Sequence, residues 1–363
     1  MEDCRSKRTI TFFYSDNVEK QTAAPIAEEA ERRGYKVKFT DALLDKADIG
    51  FYCQHLCFPE NSNFSLIMLH DLGQGHNRWP DIWAGEPWDQ FDIGILPGKD
   101  WVKRWLSVCD QVYTRPKKGV FELGWPKADT LSANSEEASR LKNDLKLQYP
   151  ISVLYAPSWE NHGKQDKFVQ ALKELPVNLL LKQAPWSDTH STIKNNISEM
   201  NALHRNYRDN VHVIDPDVSI FTCLTLSDLI ISDESSVLIE ALLLDVPSVA
   251  VTDWLIPDCN PPRYANVPFD FVEKTTCRQL QSTVVRMIDN LEAYCSNTLV
   301  RRDDIFSYLG KSSVKIIDII DHFLINSPTD IKKIEPSIEL RVPTRKEELS
   351  RVSNKLRIDA MVR

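Results

Sequence analysis

Short apolar runs alternate with amphipathic helices along most of this chain, and that alternation limits the fold more than any other feature of the sequence. Near-continuous apolar strands separated by helices form a parallel sheet that helices cover on both faces. The predicted strands of the first half are 10–14, 36–40, 49–53, 65–70 and 91–96. Those of the second half are 151–156, 177–182, 210–215, 228–232 and 248–252. The pattern therefore predicts an α/β fold.

The alternation runs twice, and a polar stretch without any strand signal separates the two runs. At about 150 residues per domain, a chain of 363 residues is long enough for two domains. We predict two Rossmann-like domains whose parallel sheets face an interdomain cleft. The predicted segments are an N-terminal domain 1–130, a linker 131–150, a C-terminal domain 151–295, helices 296–326 that pack back across both lobes, and a basic tail 327–363.

The charge balance and the length of the apolar runs exclude two broad classes of protein. The formal net charge is -8, which argues against a protein that coats nucleic acid through phosphate contacts, so we predict no nucleic-acid partner. The sequence has no run of about 18 apolar residues, and the apolar stretch near its start is too short for a secretory signal. We therefore expect a cytoplasmic protein.

Eight cysteines are scattered along the chain, several of them inside apolar runs. In a long cytoplasmic chain such residues are more often buried thiols than disulfides. The local cluster of Cys53, His55 and Cys57 would need a fourth ligand, with His70 and His76 as candidates, to hold zinc. Since no complete metal motif occurs, we predict neither a metal nor a cofactor.

One polar stretch stands where a buried strand ends and a helix is predicted to begin. The sequence SDESS (232–236) leads into an apolar helix that starts around Val237. A helix start offers unpaired backbone N–H groups and a positive dipole end, and the hydroxyls of Ser235 and Ser236 add donors for a diphosphate. A routine helix cap is the alternative. Glu240 favours ligand binding, because a carboxylate in an apolar helix needs a partner such as ribose hydroxyls.

A second candidate site follows the predicted strand 65–70, where the chain reads HDLGQGH (70–76). Glycines let the backbone approach a ligand closely. A histidine at a strand end can take a proton from an attacking hydroxyl, which makes His70 a candidate base and His76 a weaker one. A purely structural histidine is the alternative.

Two further stretches follow strands in the same way. APSWENHGK (156–164) follows the first strand of the second half, and its alternative reading is a turn with a helix cap. GWPKAD (124–129) forms a turn from which Lys127 can reach a phosphate, although lysines in turns are commonly just solvated.

Together these four stretches resemble the CDP-glycerol glycerophosphotransferase family, the teichoic-acid and capsule polymerases and primases with a GT-B fold. Family members carry a glycine loop that begins with histidine, then G-Y-P-R-x-D, A-P-T-W after a strand, and D-Y-S-S before a helix. This chain has HDLG (70–73), GWPKAD (124–129), APSW (156–159) and DESS (233–236) in the same order.

The resemblance implies that the second domain binds a CDP-linked donor such as CDP-glycerol, and that the first domain holds the acceptor, a hydroxyl of a glycan or lipid-linked molecule. It implies that His70, with Asp71 beside it, is the catalytic base. Positive charge would stabilise the phosphoryl group in transfer. The residues assigned to the donor are Ser235 and Ser236 at the phosphates, Glu240 at the ribose, Lys182 and Lys127 at the transferred group, and Ser158 and Gly73.

Two departures from the family pattern weaken the identity of the donor. Where the family has a histidine in L-K-x-H-P, this chain has Ala184, and His190 is a possible substitute. The glycine loop is rewritten so that Asp71 follows the histidine. Two other functions therefore stay open: a GT-B glycosyltransferase or 2-epimerase that uses a UDP-sugar, and an inactive GT-B binding module.

The predicted tail 327–363 is rich in Lys and Arg and places Leu349, Val352 and Leu356 at helical spacing. Such a segment can dock on the inner face of an anionic membrane. A solvated tail is the alternative. The sequence leaves the oligomeric state open.

Overall fold

A computed structural model of the chain describes residues 4–53, 56–69, 72–73, 83, 88–186 and 188–336. The chain divides into two compact units, the first formed by Met1–Thr130 with Asp303–Arg363 and the second by Leu131–Arg302. Each unit is built on one six-stranded sheet in which all of the strands are parallel.

The sheet of the first unit is made of short strands that alternate with helices. In chain order the elements are β1 Thr9–Phe13, α1 Asn17–Arg32, β2 Lys36–Thr40, β3 Ala47–Cys53, β4 Ser62–Met68, β5 Ile93–Leu96, α2 Lys99–Leu106 and β6 Gly119–Glu122. The strands lie in the order β2-β1-β3-β4-β5-β6. β3, β4 and β5 are almost entirely buried along their lengths, as strands covered on both faces must be.

The second unit repeats this plan. Its elements are α3 Asn134–Leu145, β7 Ser152–Tyr155, α4 Lys164–Leu172, β8 Asn178–Lys182, α5 Ser191–His204, β9 Val211–Ile214, α6 Ile220–Thr225, β10 Leu229–Ser232, α7 Val237–Glu240, β11 Ser248–Val251, the hairpin β12 Leu255–Ile256 with β13 Arg263–Tyr264, β14 Val272–Thr275, and α8 Leu280–Asp289. The strand order is β14-β11-β10-β7-β8-β9. Apolar side chains from the buried strands, α4 and α8 form one core.

Two more helices follow within the described residues. α9 covers Leu291–Ile305, and the division between the two units falls within it, between Arg302 and Asp303. α10 covers Ser312–Ile325 and packs on α1 in the first unit.

A buried carboxylate fastens α10 to the start of the chain. Asp321, 2% exposed, accepts two hydrogen bonds of 3.0 Å from Arg5, one of 2.6 Å from the Tyr35 hydroxyl and one of 3.1 Å from Arg33. Although burial opposes ionisation, these partners hold the pKa of Asp321 below its ordinary value. The last described helix is therefore an integral part of the first unit.

The α/β class and the two parallel sheets confirm the fold predicted from the sequence. Several element boundaries were predicted wrongly. β4, for example, begins at Ser62 rather than 65. α1 begins at Asn17, because Asp16 caps it by accepting from the Glu19 backbone N–H at 2.9 Å. α8 and α9 are separated at Asn290, whose backbone leaves the helical region.

The segment 131–150, predicted as a linker, contains the helix α3, which belongs to the second unit. There α3 packs on α6, and the Thr222 hydroxyl of α6 donates a 2.6 Å hydrogen bond to Glu137 of α3. The predicted domain limits, including those of the linker 131–150, stay predictions.

Candidate active site

The sheet of the second unit has its topological switch point between β7 and β10. From β7 the chain continues to β8 and β9 on one side, whereas β10 lies on the other side of β7. In open parallel sheets a ligand crevice forms at the carboxyl ends of the two strands at such a point. The loops that leave these two strands are APSW (156–159) and DESS (233–236), two of the four stretches singled out in the sequence.

Asp233 joins the two loops. It is 0% exposed, and its Oδ1 accepts hydrogen bonds from the Ser158 backbone N–H at 2.8 Å, the Ser158 hydroxyl at 2.9 Å and the Glu234 backbone N–H at 2.7 Å. The neighbouring hydroxyl of Ser232 donates to the carbonyl oxygen of Ala156 at 2.6 Å. A buried network of hydrogen bonds therefore joins the two loops at the switch point.

A buried lysine balances the charge of Asp233. Lys164, 1% exposed, lies at the start of α4, and its Nζ is 2.8 Å from Oδ2 of Asp233 and 2.8 Å from the carbonyl oxygen of Trp159. Burial alone would raise the pKa of Asp233, but Lys164 and the Ser158 hydrogen bonds hold that pKa below its ordinary value. The carboxylate is therefore ionised and acts as a fixed acceptor.

The helix after Ser236 is much shorter than the sequence pattern predicted. α7 is a single turn, Val237–Glu240, and a 3-10 turn, Ala241–Leu244, follows it. One turn aligns few peptide dipoles, so a helix dipole contributes little here. Ser235 and Ser236 are both partly exposed. Ser236 makes no capping hydrogen bond, while the Ser235 hydroxyl accepts a 3.4 Å bond from the Val237 backbone N–H.

Glu234, the residue before these serines, is held by the loop that contains β13. Glu234 receives a two-pronged ion pair from Arg263 of β13 and a 3.0 Å hydrogen bond from the Asn266 backbone N–H. Arg263 also lies 2.6 Å from Asp258. The two carboxylates raise the pKa of the Arg263 guanidinium, so it is permanently charged. The loop that contains β13 therefore fixes the turn of Ser235 and Ser236 through its contacts with Glu234.

A second buried carboxylate joins the loops that follow β7 and β8. Glu160, 1% exposed, accepts a 2.6 Å hydrogen bond from the Tyr155 hydroxyl and a 2.9 Å bond from the Gln183 amide. Gln183 also donates to the side-chain oxygen of Gln165 at 2.6 Å. Burial raises the pKa of Glu160 despite these donors. Buried hydrogen bonds of Glu160 therefore hold the loop after β7 and the loop after β8 together.

Three other predicted donor residues lie in this unit. The Ser158 hydroxyl donates a hydrogen bond to the carboxylate of Asp233. Lys182, at the end of β8, is 4% exposed, and its Nζ donates to the carbonyl oxygens of Gln183 at 2.8 Å and Pro216 at 2.7 Å. Burial lowers the pKa of Lys182. Glu240 is 1% exposed. Their roles at a donor stay predictions.

The predicted catalytic residues His70 and Asp71, together with His76, lie outside the described residues. Gly73 is described and buried. Lys127 is partly buried in the turn after β6, close enough to the thiol of Cys53, at the end of β3, to act on its pKa. The assignments of these residues also stay predictions.

The stretch GWPKAD has a clear structural part. Asp129 accepts hydrogen bonds from the backbone N–H groups of Ser312 at 3.0 Å and Ser313 at 2.7 Å, so it caps α10. Gly124 has a φ of +90°, and a Cβ there would lie 2.3 Å from the Ser307 carbonyl oxygen. Much of this motif therefore serves to seat α10 in the first unit.

The described residues contain neither a metal-binding cluster nor a membrane-spanning helix. Among those residues no group of three or more His, Cys, Asp or Glu side chains is arranged to hold a metal ion. Likewise, no described helix is long and apolar enough to span a bilayer. Cys53, Cys109 and Cys223 are buried free thiols.

The sequence pointed to the stretch that contains Glu160 and Lys164 but not to these two side chains in particular, and it offered no signal for Arg263. Lys164 and Glu160 stand in a stretch that also reads as an ordinary turn before a helix. Arg263 is 29 residues from its partner Glu234. An ion pair of that separation is invisible until the strand order is known.

The two parallel six-stranded sheets define the class: an α/β protein of GT-B type. A sequence model of the CDP-Glycerol:Poly(glycerophosphate) glycerophosphotransferase family matches residues 104–320. The chain therefore belongs to this family of transferases. No curated protein matches the chain.

Solved structures agree on the fold. The wall teichoic acid polymerase TagF is similar over 88% of this chain and 90% of its own, with a TM-score of 0.60 and 15% identity. A putative UDP-N-acetylglucosamine 2-epimerase from Listeria monocytogenes covers 91% of this chain and 99% of its own, with a TM-score of 0.55 and 13% identity. A glycosyltransferase from Rickettsia africae ESF-5 covers 88% and 99%, with a TM-score of 0.52 and 13% identity.

Proposed function

We propose that this chain transfers glycerol phosphate, or a related polyol phosphate, from a CDP-linked donor to a hydroxyl of a glycan or lipid-linked acceptor during synthesis of a cell-surface polymer such as teichoic acid. Family membership supports the reaction class. The observation that carries the proposal is Asp233, which binds the loop after β7 to the turn of Ser235 and Ser236 at the switch point of the second sheet.

The donor is proposed to lie with its diphosphate at that turn. The hydroxyls of Ser235 and Ser236 supply neutral donors at partly exposed positions, and Asp233 fixes the backbone from which they project. Arg263 fixes the same turn through Glu234. A site held from both sides needs little reorganisation when the ligand binds.

The chemical step is a single displacement at phosphorus. The acceptor oxygen attacks the β-phosphorus of the donor, and the imidazole of His70, with Asp71 beside it, takes the hydroxyl proton. The new phosphorus–oxygen bond forms while the bond to the bridging oxygen breaks, so CMP leaves with the electron pair of that bond. Positive charge from Lys127 is proposed to stabilise the transferred phosphoryl group.

Release of CMP tests the proposal. The purified chain is incubated with CDP-glycerol and a lipid-linked glycan acceptor, and CMP and extended product are measured. We expect acceptor-dependent CMP release in the parent and a loss of about 100-fold or more in His70→Ala, as for removal of a general base. Absence of CMP release, together with UDP release from a UDP-sugar or isomerisation of that sugar, would replace the proposal with a nucleotide-sugar reaction.

We also propose that the protein works at the cytoplasmic face of the membrane, where its basic tail contacts anionic lipid. The tail beyond residue 336 lies outside the described residues, so its sequence alone supports this proposal. Co-sedimentation of the full chain with vesicles of phosphatidylglycerol tests it. Replacement of Arg345, Lys346, Lys355 and Arg357 by alanine is expected to abolish co-sedimentation, and equal binding by the variant would contradict the proposal.

A further inference from the structure

Two tryptophans in the second unit differ from every other tryptophan that the structure describes. Trp159 and Trp186 are partly exposed to solvent, whereas the other six described tryptophans are at most 2% exposed. These six are Trp83, Trp88, Trp101, Trp105, Trp125 and Trp254. Large aromatic side chains are usually placed in the core, so two that remain partly exposed in the same place require an explanation.

The two exposed rings contact each other at the edge of the candidate crevice. The centroids of Trp159 and Trp186 are 4.7 Å apart, and the ring planes are inclined at 46°. Trp159 follows β7 and Trp186 follows β8, which is the neighbour of β7 in the sheet. The imidazole of His190 extends the row, with its centroid 4.8 Å from that of Trp186. We name Trp159 and Trp186 the aromatic platform.

Hydrogen bonds of neighbouring residues hold the aromatic platform in place. Ser158, directly before Trp159, is bonded to Asp233 through both its backbone N–H and its hydroxyl. Glu160, directly after Trp159, is bonded to Gln183 of the loop that carries Trp186. All of these polar anchors except Ser158 are 1% exposed or less. The rings therefore do not have to be ordered when a ligand arrives, which lowers the entropic cost of binding.

We infer that the aromatic platform binds the nucleobase of the donor by stacking. This inference rests on the proposed function, because it places the base of the same CDP-linked ligand. β7 lies between β10 and β8 in the sheet, so a nucleotide whose phosphates lie at Ser235 and Ser236 after β10 can extend across the loop after β7 and place its base on the β8 side. Aromatic rings stack on any base, so the platform supplies affinity and a fixed position rather than a choice between bases.

The affinity of the protein for CDP, measured by titration calorimetry without turnover, tests this inference. In Trp186→Leu the dissociation constant is expected to rise about tenfold or more, the loss that removal of a stacked ring produces. Trp186→Phe keeps an aromatic face and is expected to stay within about threefold of the parent. Tyr149→Leu, at another partly exposed aromatic side chain of the same unit that is 36% exposed, serves as the matched control and should not change the affinity.

A second measurement does not depend on any variant. Stacking of a base on partly exposed indoles quenches their emission, so saturating CDP should reduce the tryptophan fluorescence of the parent protein, whose other described tryptophans are buried. An unquenched spectrum at CDP concentrations that calorimetry shows to be saturating would overturn the inference, even if Trp186→Leu fails to fold.

The outcomes separate this inference from the proposed function. An affinity of Trp186→Leu within twofold of the parent overturns the platform but leaves CMP release, and hence the proposed transfer, intact. A rise in the KM of the acceptor with unchanged CDP affinity assigns the rings to the acceptor and also overturns it. If the parent releases CMP from CDP-glycerol but does not bind CDP, the platform is wrong as a base site. CDP binding without any transfer defeats the proposed function alone.

Discussion

The ammonium of Lys164 lies 2.8 Å from the carboxylate of Asp233, and both side chains are almost fully buried, at 1% and 0% exposure. A buried ion pair of this kind contributes little net stability compared with apolar residues, but removal of one partner leaves an uncompensated charge in the interior. If Lys164 is replaced, the charge that remains is that of Asp233, the residue that joins the two loops of the candidate site. This pair therefore couples the stability of the second unit to the geometry of the proposed donor site.

Replacement of Lys164 by Met is expected to lower the free energy of unfolding by about 3–5 kcal/mol, measured by urea denaturation. The matched control is Arg208→Met, which breaks an exposed pair with Glu174, at 41% and 64% exposure, and should cost no more than about 1 kcal/mol. The double variant Lys164→Met/Asp233→Asn removes both charges and should recover part of the loss. If the double variant is less stable than Lys164→Met, buried charge is not the cause.

Asp321 provides a test in which pH is the variable. Its pKa is lowered in the folded protein, so ionisation of this carboxyl stabilises the fold above the ordinary Asp value of 3.8. The contribution is lost as the pH falls below 3.8 and through the folded pKa. At pH 7, Asp321→Asn is expected to be less stable by about 2–3 kcal/mol, because hydrogen bonds to a charged group are lost.

The same difference should shrink when unfolding is measured at successively lower pH. Below pH 3.8 the unfolded chain takes up the proton first, and once the pH falls through the lowered pKa the folded carboxyl is protonated too and resembles the neutral side chain of the variant. A difference in unfolding free energy that is constant between pH 7 and pH 2 would show that the shape of the side chain, rather than its charge, fastens α10.

The part of the fold that the sequence predicted well is the part set by apolar periodicity. β7, β8, β10 and β11 are buried along their whole length, and each coincides with a predicted strand to within two residues. Strands that are buried along their whole length leave an unbroken apolar signal. By contrast, the start of α1 depends on one capping hydrogen bond of Asp16, and the polar first turn of that helix carries no periodic signal.

The site was predictable only at the level of loops. The ends of strands could be located, and with them the turn of Ser235 and Ser236. Whether Asp233 or Glu234 faces the loop after β7 depends on the backbone of that turn, and in the structure it is Asp233 that bonds to Ser158. The one-turn length of α7 was also hidden, since VLIEALLL reads as a continuous helix.

Replacement of Arg263 is expected to weaken donor binding more than it slows the transfer step. Its two-pronged contact with Glu234 holds the turn that precedes Ser235. Lys cannot reproduce two parallel bonds to one carboxylate, so Arg263→Lys should raise the KM for CDP-glycerol about tenfold and change kcat little. Arg286→Lys alters an exposed pair with Glu273 in the same unit and is the control. Equal KM values in both variants would remove Arg263 from the donor site.

Gly124 tests whether the GWPKAD stretch is structural. Both Gly124 and Gly163 have positive φ values, of +90° and +64°, but a Cβ at Gly163 meets nothing within 4 Å. Gly163→Ala should therefore cost only the backbone term of about 1–2 kcal/mol. Gly124→Ala adds a collision with the Ser307 carbonyl oxygen, so its melting temperature should fall further. Similar melting temperatures would show that the segment after α9 yields easily.

Lys182 separates the two roles that a lysine at this position can play. The family resemblance assigns its charge to the transferred phosphoryl group, whereas in the structure its Nζ is bonded to two backbone carbonyls and is 4% exposed. We expect Lys182 to act through its hydrogen bonds to the two backbone carbonyls rather than through its charge at the phosphoryl group. Lys182→Met should lower the unfolding free energy by about 2 kcal/mol, since two buried carbonyls lose their donor.

If Lys182 acts through these contacts, the KM and kcat of the folded variant for CDP-glycerol should stay within about threefold of the parent, because two of the three Nζ protons are donated to backbone carbonyls. Lys167→Met, at an exposed position in α4, is the matched control for stability and should change it by no more than about 0.5 kcal/mol. A fall of about 100-fold in kcat with unchanged stability would instead mean that Lys182 leaves its two carbonyls when the donor binds and serves the phosphoryl group.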